Sequence, residues 1–202
     1  MSGFEKGRVA LFLPSLRGGG AERVMLNLAR GFAERGLLVD MVLAKAEGPY
    51  LNQVPANVCV VDLGASRVLA SLPGLVRYLR RERPQALLSA LDHANVVALW
   101  ARALARVPTR IVVSVRSNAS WSTRYAPTLR ARLAPLWVRP FYPWADAVVA
   151  ISQGVAEDLV RLTGLPRKKV RVIYNPVVTS EIFSKAQESL DHPWFVPGQP
   201  PV

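Results

Sequence analysis

Arg8 to Leu13, RVALFL, is an almost unbroken apolar run that gives way to SLRGGGAER (Ser15 to Arg23) and then to a helical pattern. Few folds accept that succession. A strand apolar on both faces belongs inside a parallel sheet, and parallel strands need crossover helices, so the chain opens as an α/β protein. Gly18, Gly19 and Gly20 suit a turn in which the backbone takes positive φ or lets a ligand touch the main chain. The first N–H groups of the next helix lack intrahelical partners and sit at the positive end of its dipole, so phosphate is the natural guest. Two readings stay open here: an anion cradle with Glu22 and Arg23 beside it, or a tight strand-to-helix turn without a ligand. The glycines match neither G-x-G-x-x-G nor G-x-x-x-x-G-K-[ST], because Glu22 and Arg23 stand where a P-loop puts Lys and Ser/Thr.

The same alternation continues. Val24, Leu28 and Phe32 form one helical stripe that Gly36 is placed to end, and Leu37 to Leu43 is a second strand. A loop holding Gly48, Pro49 and Pro55 leads to a third strand, Val58 to Leu63. Leu69, Leu72, Val76 and Leu79 recur at helical spacing until Arg83-Pro84, and Gln85 to Ser89 is a fourth strand. A helix over about Ala94 to Arg106 precedes a β-branched fifth strand, Thr109 to Val115. After a polar loop, a helix rich in arginine and aromatics is expected from about Pro127 to Tyr142. Asp146 to Ile151 is the sixth strand, Ser152 caps a helix over Gln153 to Thr163, and Val170 to Ile173 is the seventh strand. The expected fold is a Rossmann-like parallel sheet of about seven strands with helices on both faces.

Beyond Asn175-Pro176 the pattern changes. A short helical segment, about Ser180 to Glu188, is followed by HPWFVPGQPPV, which has four prolines and no periodicity. It reads as a linker into a further domain; a terminal tail is the alternative.

Half of the 202 residues are apolar, so the chain is globular, and its net charge is +12. From Leu91 to Ala145 Asp92 is the only acidic residue, against eight arginines. Such a field attracts nucleic acid, an anionic membrane surface or phosphorylated small molecules, and does not choose among them. Cys59 stands alone, which excludes an intrachain disulfide, and is expected to be buried in its strand. No stretch reaches the roughly 18 uncharged apolar residues of a membrane span, and Val9 to Leu16, holding Pro14, is too short for a signal peptide. The expected location is cytoplasmic, with peripheral contact to the inner membrane face.

Ligands of open parallel sheets gather outside the carboxyl ends of the strands. That rule collects Ser15 to Arg23, Ala90 to Asn95, Arg116 to Ser120, Ser152-Gln153 and Tyr174 to Pro176. His93 can act near neutral pH and Asp92 can orient an imidazole or serve as a base; equally, Asp92 caps the helix beginning near Ala94. Arg116 and Asn118 suit a phosphate or a sugar hydroxyl. Ser152 fits a cap better than a nucleophile, since no G-x-S-x-G surrounds it. No spacing of His93, His192 and Cys59 suggests a metal. Helix 127–142, with Arg130, Arg132, Arg139 and Trp137, is either a basic membrane-surface helix or a core helix.

The ordered set GGGAERVMLNLARGFAERG, SALDHANVVALWAR, RIVVSVRSN, DAVVAISQGVAEDL and VRVIYNPV resembles the N-terminal domain of a family 4 (group 1) glycosyltransferase of the GT-B fold. The resemblance implies two Rossmann-like domains facing across a cleft, with residues 1–176 as the acceptor-side domain and 177–202 as an interdomain segment and linker to a C-terminal donor domain. It implies a retaining hexosyl transfer from a UDP- or GDP-sugar to a glycan or lipid-linked acceptor in polysaccharide biosynthesis, without cofactor or metal, and a chain inactive alone. Gly18, Gly19, Gly20, Glu22 and Arg23 then face the donor diphosphate. Arg116, Asp92 and His93 are the candidates for catalysis, and Asn95, Asn118, Ser152 and Asn175 for the acceptor. Many members carry a histidine where this chain has Arg116, and an arginine cannot shuttle a proton at neutral pH. Expected partners are the nucleotide-sugar, the acceptor, the C-terminal domain and an anionic membrane through 127–142; nucleic acid is not expected. The alternative function is a non-catalytic binding module for phosphorylated ligands or RNA. A dinucleotide enzyme is disfavoured because no acidic residue follows the second strand, Asp40 lying within it.

Overall fold

The computed structural model describes residues 7–118, 120, 140–178 and 180–188. Seven strands form one sheet in the order β3-β2-β1-β4-β5-β6-β7, every neighbouring pair parallel. They are β1 (Arg8–Leu13), β2 (Leu38–Leu43), β3 (Val58–Asp62), β4 (Ala86–Ala90), β5 (Arg110–Val115), β6 (Ala147–Ala150) and β7 (Val170–Val172). The described helices of a full turn or more are α1 (Gly20–Glu34), α2 (Leu72–Glu82), α3 (Asp92–Ala105), α4 (Gln153–Thr163) and α5 (Ser180–Ala186). The expected Rossmann-like sheet is therefore present, and its strand order reverses between β1 and β4.

Alternate residues of β1 show how the two faces are filled. Ala10 and Phe12 join Leu75 and Leu79 of α2, Val97, Ala98 and Ala101 of α3, and Ala156 and Leu159 of α4 on one face. Leu11 and Leu13 meet Met25, Leu26 and Ala29 of α1 on the other. Chain direction dictates this: right-handed crossovers put the helix of β1→β2 on one face and those of β3→β4, β4→β5 and β6→β7 on the opposite one. Helix ends follow their local chemistry. Gly36 (φ 82°) and Gly164 (φ 69°) take left-handed conformations after α1 and α4, and Ser152 Oγ accepts the Val155 N–H at 3.3 Å, the expected cap.

Some expectations are corrected. Cys59 is exposed: β3 is an edge strand, and its connection from β2 is a loop with one 3₁₀ turn (Leu51–Gln53) rather than a helix. The helix after β4 starts at Asp92, and its N-cap position is Leu91, so Asp92 is not the cap. Of the helix expected at 127–142, residues 127–139 lie outside the described residues, and with them the membrane-contact expectation. Its expected end is not helical: Pro140 and Phe141 form a turn and Tyr142–Trp144 a 3₁₀ turn, as prolines at 140 and 143 require. Asp40 is enclosed, its carboxylate held by Arg8 (2.8 Å) and the Tyr78 hydroxyl (2.6 Å), so it is committed within the sheet.

Candidate functional site

The site is built where β1 and β4 part, the crevice at which open α/β sheets bind ligands. Gly18 has φ 108°, and Gly19 is the N-cap of α1 with no side-chain bond to the helix end. Gly20 faces open space, and the Glu22 carboxyl folds back over Gly19. The start of α1 thus presents N–H groups to a visitor with no cap of its own.

A second loop holds the first. Leu16 donates its N–H to Glu47 O (2.9 Å) and accepts from Tyr50 N (3.2 Å). Between them Gly48, at φ 114°, passes so close that any Cβ would collide with the Leu16 carbonyl. Glu47 pairs with Arg17 at 2.6 Å and Lys45 at 2.7 Å, and these cations hold its carboxyl below the usual carboxylate range. Arg23 stacks on the Tyr50 ring, 4.1 Å from its centroid, and donates to Gln53 (2.7 Å), so this cation is spent on the clasp. Sequence reasoning missed the clasp, although Gly48-Pro49 in a loop was its visible signal.

Arg116 and Asn175, expected at the ends of different strands, are brought together: an Arg116 Nη1–H donates to Asn175 Oδ1 at 3.1 Å. Burial lowers the Arg116 pKa, and the negative charge of Glu22 opposes that shift, which ties α1 electrostatically to the end of β5. Arg116 Nε is buried and has no hydrogen-bond partner among the described residues. Beside it an apolar trough of about 430 Å³ runs along the α1 face, walled by Val24, Leu28, Val112, Val149 and Tyr174. Asn118 is exposed in the turn after Arg116.

At the end of β4, Leu91 takes φ 78°, unusual for a branched side chain, and turns Asp92 and His93 outward, both exposed. Although His93 faces outward, partial desolvation of its ring pushes the pKa down and the Asp92 charge pulls it partly back. Asn95, expected at the acceptor, is instead fully enclosed. It accepts from Ser89 Oγ (2.8 Å) and donates to Ser114 O and the Tyr142 hydroxyl (both 3.1 Å). The Tyr142 hydroxyl in turn donates to Asp92 Oδ1 at 2.9 Å. Burial and the neighbouring carboxylate raise the Tyr142 pKa far above its ordinary value, so it stays a donor. One turn inside α3, Asn95 faces the sheet and its hydrogen-bonding capacity is used internally; it positions Asp92 through Tyr142. Tyr142 was missed because it ends a stretch read as amphipathic. Ser152 is occupied by its cap. No group of three His, Cys, Asp or Glu side chains suited to a metal occurs among the described residues.

A doubly wound sheet with a glycine turn, an arginine and an asparagine at the carboxyl ends of its strands defines a Rossmann-like domain able to receive an anionic ligand. Solved structures agree on the fold. The lipopolysaccharide outer core galactosyltransferase WaaB in its apo form superposes with a TM-score of 0.62 and 17% identity over 84% of this chain and 46% of that one. HepE of Anabaena, in complex with UDP and glucose, gives 0.62 and 20% over 88% and 48%. UDP-N-acetylglucosamine 2-epimerase of Rickettsia bellii gives 0.63 and 14% over 92% and 50%. The chain thus spans about half the length of these structures, and the likeness is one of fold. Comparison with curated proteins found no match. Residues 18–181 match Glycosyltransferase Family 4, and the chain belongs to that family as an N-terminal GT-B domain. Among the described residues no helix is long and apolar enough to cross a membrane.

Proposed function

We propose that this domain is the acceptor-side half of a retaining glycosyltransferase that moves a hexose from a UDP- or GDP-sugar to a glycan or lipid-linked acceptor in polysaccharide biosynthesis. A C-terminal domain beyond these residues carries most of the donor, and the 202 residues alone do not turn over. The observation that carries the reading is the convergence of the uncapped start of α1, Glu22, Arg116 and Asn175 at one sheet edge. HepE, which shares the fold, is in complex with UDP and glucose, and that supports a nucleotide-sugar as the ligand.

In this reading the N–H groups after Gly19 close on the donor diphosphate. Arg116, permanently charged, offers its guanidinium to a phosphate oxygen or a sugar hydroxyl and so balances charge as the nucleotide leaves. Asp92, held by Tyr142 in one orientation, accepts a hydrogen bond from an acceptor hydroxyl, with His93 beside it. The test is donor hydrolysis by the two-domain enzyme over a panel of UDP- and GDP-sugars. Release of nucleotide from at least one donor is expected, with loss in Arg116→Ala; silence across the panel would sink the reading.

A further inference from the structure

Arg116 is held by a segment that little else in the domain fastens. The ladder between β6 and β7 closes where Ile173 donates its N–H to the Ala150 carbonyl at 3.0 Å, and the chain then runs as a strap to α5. Apolar burial does not fix this strap, since Tyr174 is 71% and Val178 68% exposed. Among the described residues, two hydrogen bonds tie residues 174–178 to the rest of the domain. Arg116 Nη1 donates to Asn175 Oδ1 at 3.1 Å, and Asn27 Nδ2 of α1 donates to the Pro176 carbonyl at 2.9 Å. The first bond is the one whose geometry the site needs. The second is the one that holds the strap still while the first forms.

Asn27 is suited to that task by its place and its chemistry. It follows Val24 by three residues, on the border between the stripe of α1 that walls the trough and the exposed face bearing Arg30. Asparagine is a poor residue for a helix interior, because its amide competes for nearby backbone groups. Here the amide instead reaches a carbonyl 149 positions away. Pro176 carries the anchor to its neighbour, for the proline ring locks its own φ and confines the residue before it to extended backbone. With the Pro176 carbonyl held, the direction in which Asn175 projects its side chain is set as well. The donors and acceptors admit one arrangement: a carbonyl only accepts and a guanidinium only donates, so Asn27 presents its NH2 and Asn175 its oxygen. We propose that Asn27 is a positioning residue, which through Pro176 and Asn175 aims the Arg116 guanidinium into the site. What Arg116 does there rests on the transfer reading above; that Asn27 aims it does not.

NMR relaxation of the arginine side-chain Nε–H groups in the 202-residue chain tests the aiming directly, with Arg116→Lys assigning the signal. Asn27→Ala is expected to lower the order parameter of Arg116 and to leave that of Arg102, which Asp146 and the Trp144 carbonyl hold, unchanged. Alanine favours the helix, so the melting temperature stays within about 2 °C of wild type. In the two-domain enzyme Asn27→Ala lowers kcat by about fivefold, the worth of one neutral hydrogen bond, and keeps the donor KM within about twofold, because the arginine acts as the phosphate leaves. Asn175→Ala lowers kcat at least as far, and Asn27→Ala added to it costs nothing more, since the two act in series. The proposal is overturned if Arg116 keeps its order in Asn27→Ala, if Arg102 loosens equally, if the two substitutions multiply, or if Asn27→Ala turns over like wild type while Arg116→Ala does not. A wild type that releases nucleotide from no donor defeats the transfer reading instead, and the relaxation comparison still decides whether Asn27 aims Arg116.

Discussion

Gly19→Asp separates the two roles that the glycine loop can play. Gly19 has φ −79° and ψ 167°, an extended conformation open to any residue, and it occupies the N-cap of α1. Aspartate at an N-cap is worth a few tenths of a kcal/mol over glycine. A new Cβ meets only the movable tip of Glu22, and the like charges three residues apart return a similar few tenths. Net stability is therefore nearly unchanged, and the melting temperature stays within about 2 °C of wild type. Ligand binding is not spared. A carboxylate about 4 Å from a bound phosphate, at an effective dielectric of about 20, repels it by about 4 kcal/mol per charge, which is about a thousandfold in affinity. Titration calorimetry of the two-domain enzyme with UDP, beside thermal unfolding, reads both quantities. Gly19→Asn, of equal size and without charge, keeps most of the affinity. An aspartate variant that binds UDP within threefold of wild type would show the loop to be a turn and no more.

Gly48→Ala forces a side chain into φ 114° and against the Leu16 carbonyl; the fold loses about 2 kcal/mol, the melting temperature drops by about 4–8 °C, and hydrogen exchange at Leu16 and Tyr50 quickens. Unchanged exchange at those amides would mean the clasp does not hold the glycine loop. Tyr142→Phe removes a donor from Asp92 and leaves Asn95 Nδ2 only the Ser114 carbonyl, so urea unfolding at constant m shows a loss of about 1–2 kcal/mol. No loss at all would contradict a network that matters. His93 titrates below the ordinary 6.5, and Asp92→Asn, which removes the charge that raises it, moves the NMR midpoint lower still. Since the folded pKa lies below the unfolded one, this group's contribution to stability is fully present above the unfolded value and is lost as pH falls from there through the folded pKa. A midpoint that rises in Asp92→Asn would mean the carboxylate does not act on the imidazole.

The sheet was legible because its information is local. Val9 to Leu13 is apolar on both faces, as is Ile111 to Val115 apart from Ser114, and only a central parallel strand buries both. Cys59 misled because burial depends on what lies beside and over a strand: the loop with Gly48, Pro49 and Pro55 is legible locally, but the place of β3 at the sheet edge is not. Asn95 misled for a related reason. A polar residue one turn into a helix looks solvent-facing until Ser89, Ser114 and Tyr142 are known to converge on it from three other segments. Its partners lie 6, 19 and 47 positions away, beyond the reach of any periodicity.

What the three-dimensional arrangement adds to the candidate site is rigidity between parts that the chain keeps far apart. Arg116 and Asn175 are separated by 59 positions, yet they meet over the ends of β5 and β6. The segment that carries Asn175 is itself fastened to α1, because Asn27 Nδ2 donates to the Pro176 carbonyl at 2.9 Å. The helix behind the glycine loop, the arginine and the strap after β7 are therefore tied to one another. An arginine whose Nη1 is held by Asn175 has little freedom left, so its charge is set in place before any ligand arrives. Preorganisation of this kind is what electrostatic stabilisation of a leaving phosphate requires, since a guanidinium that must first be ordered gives part of its interaction energy back.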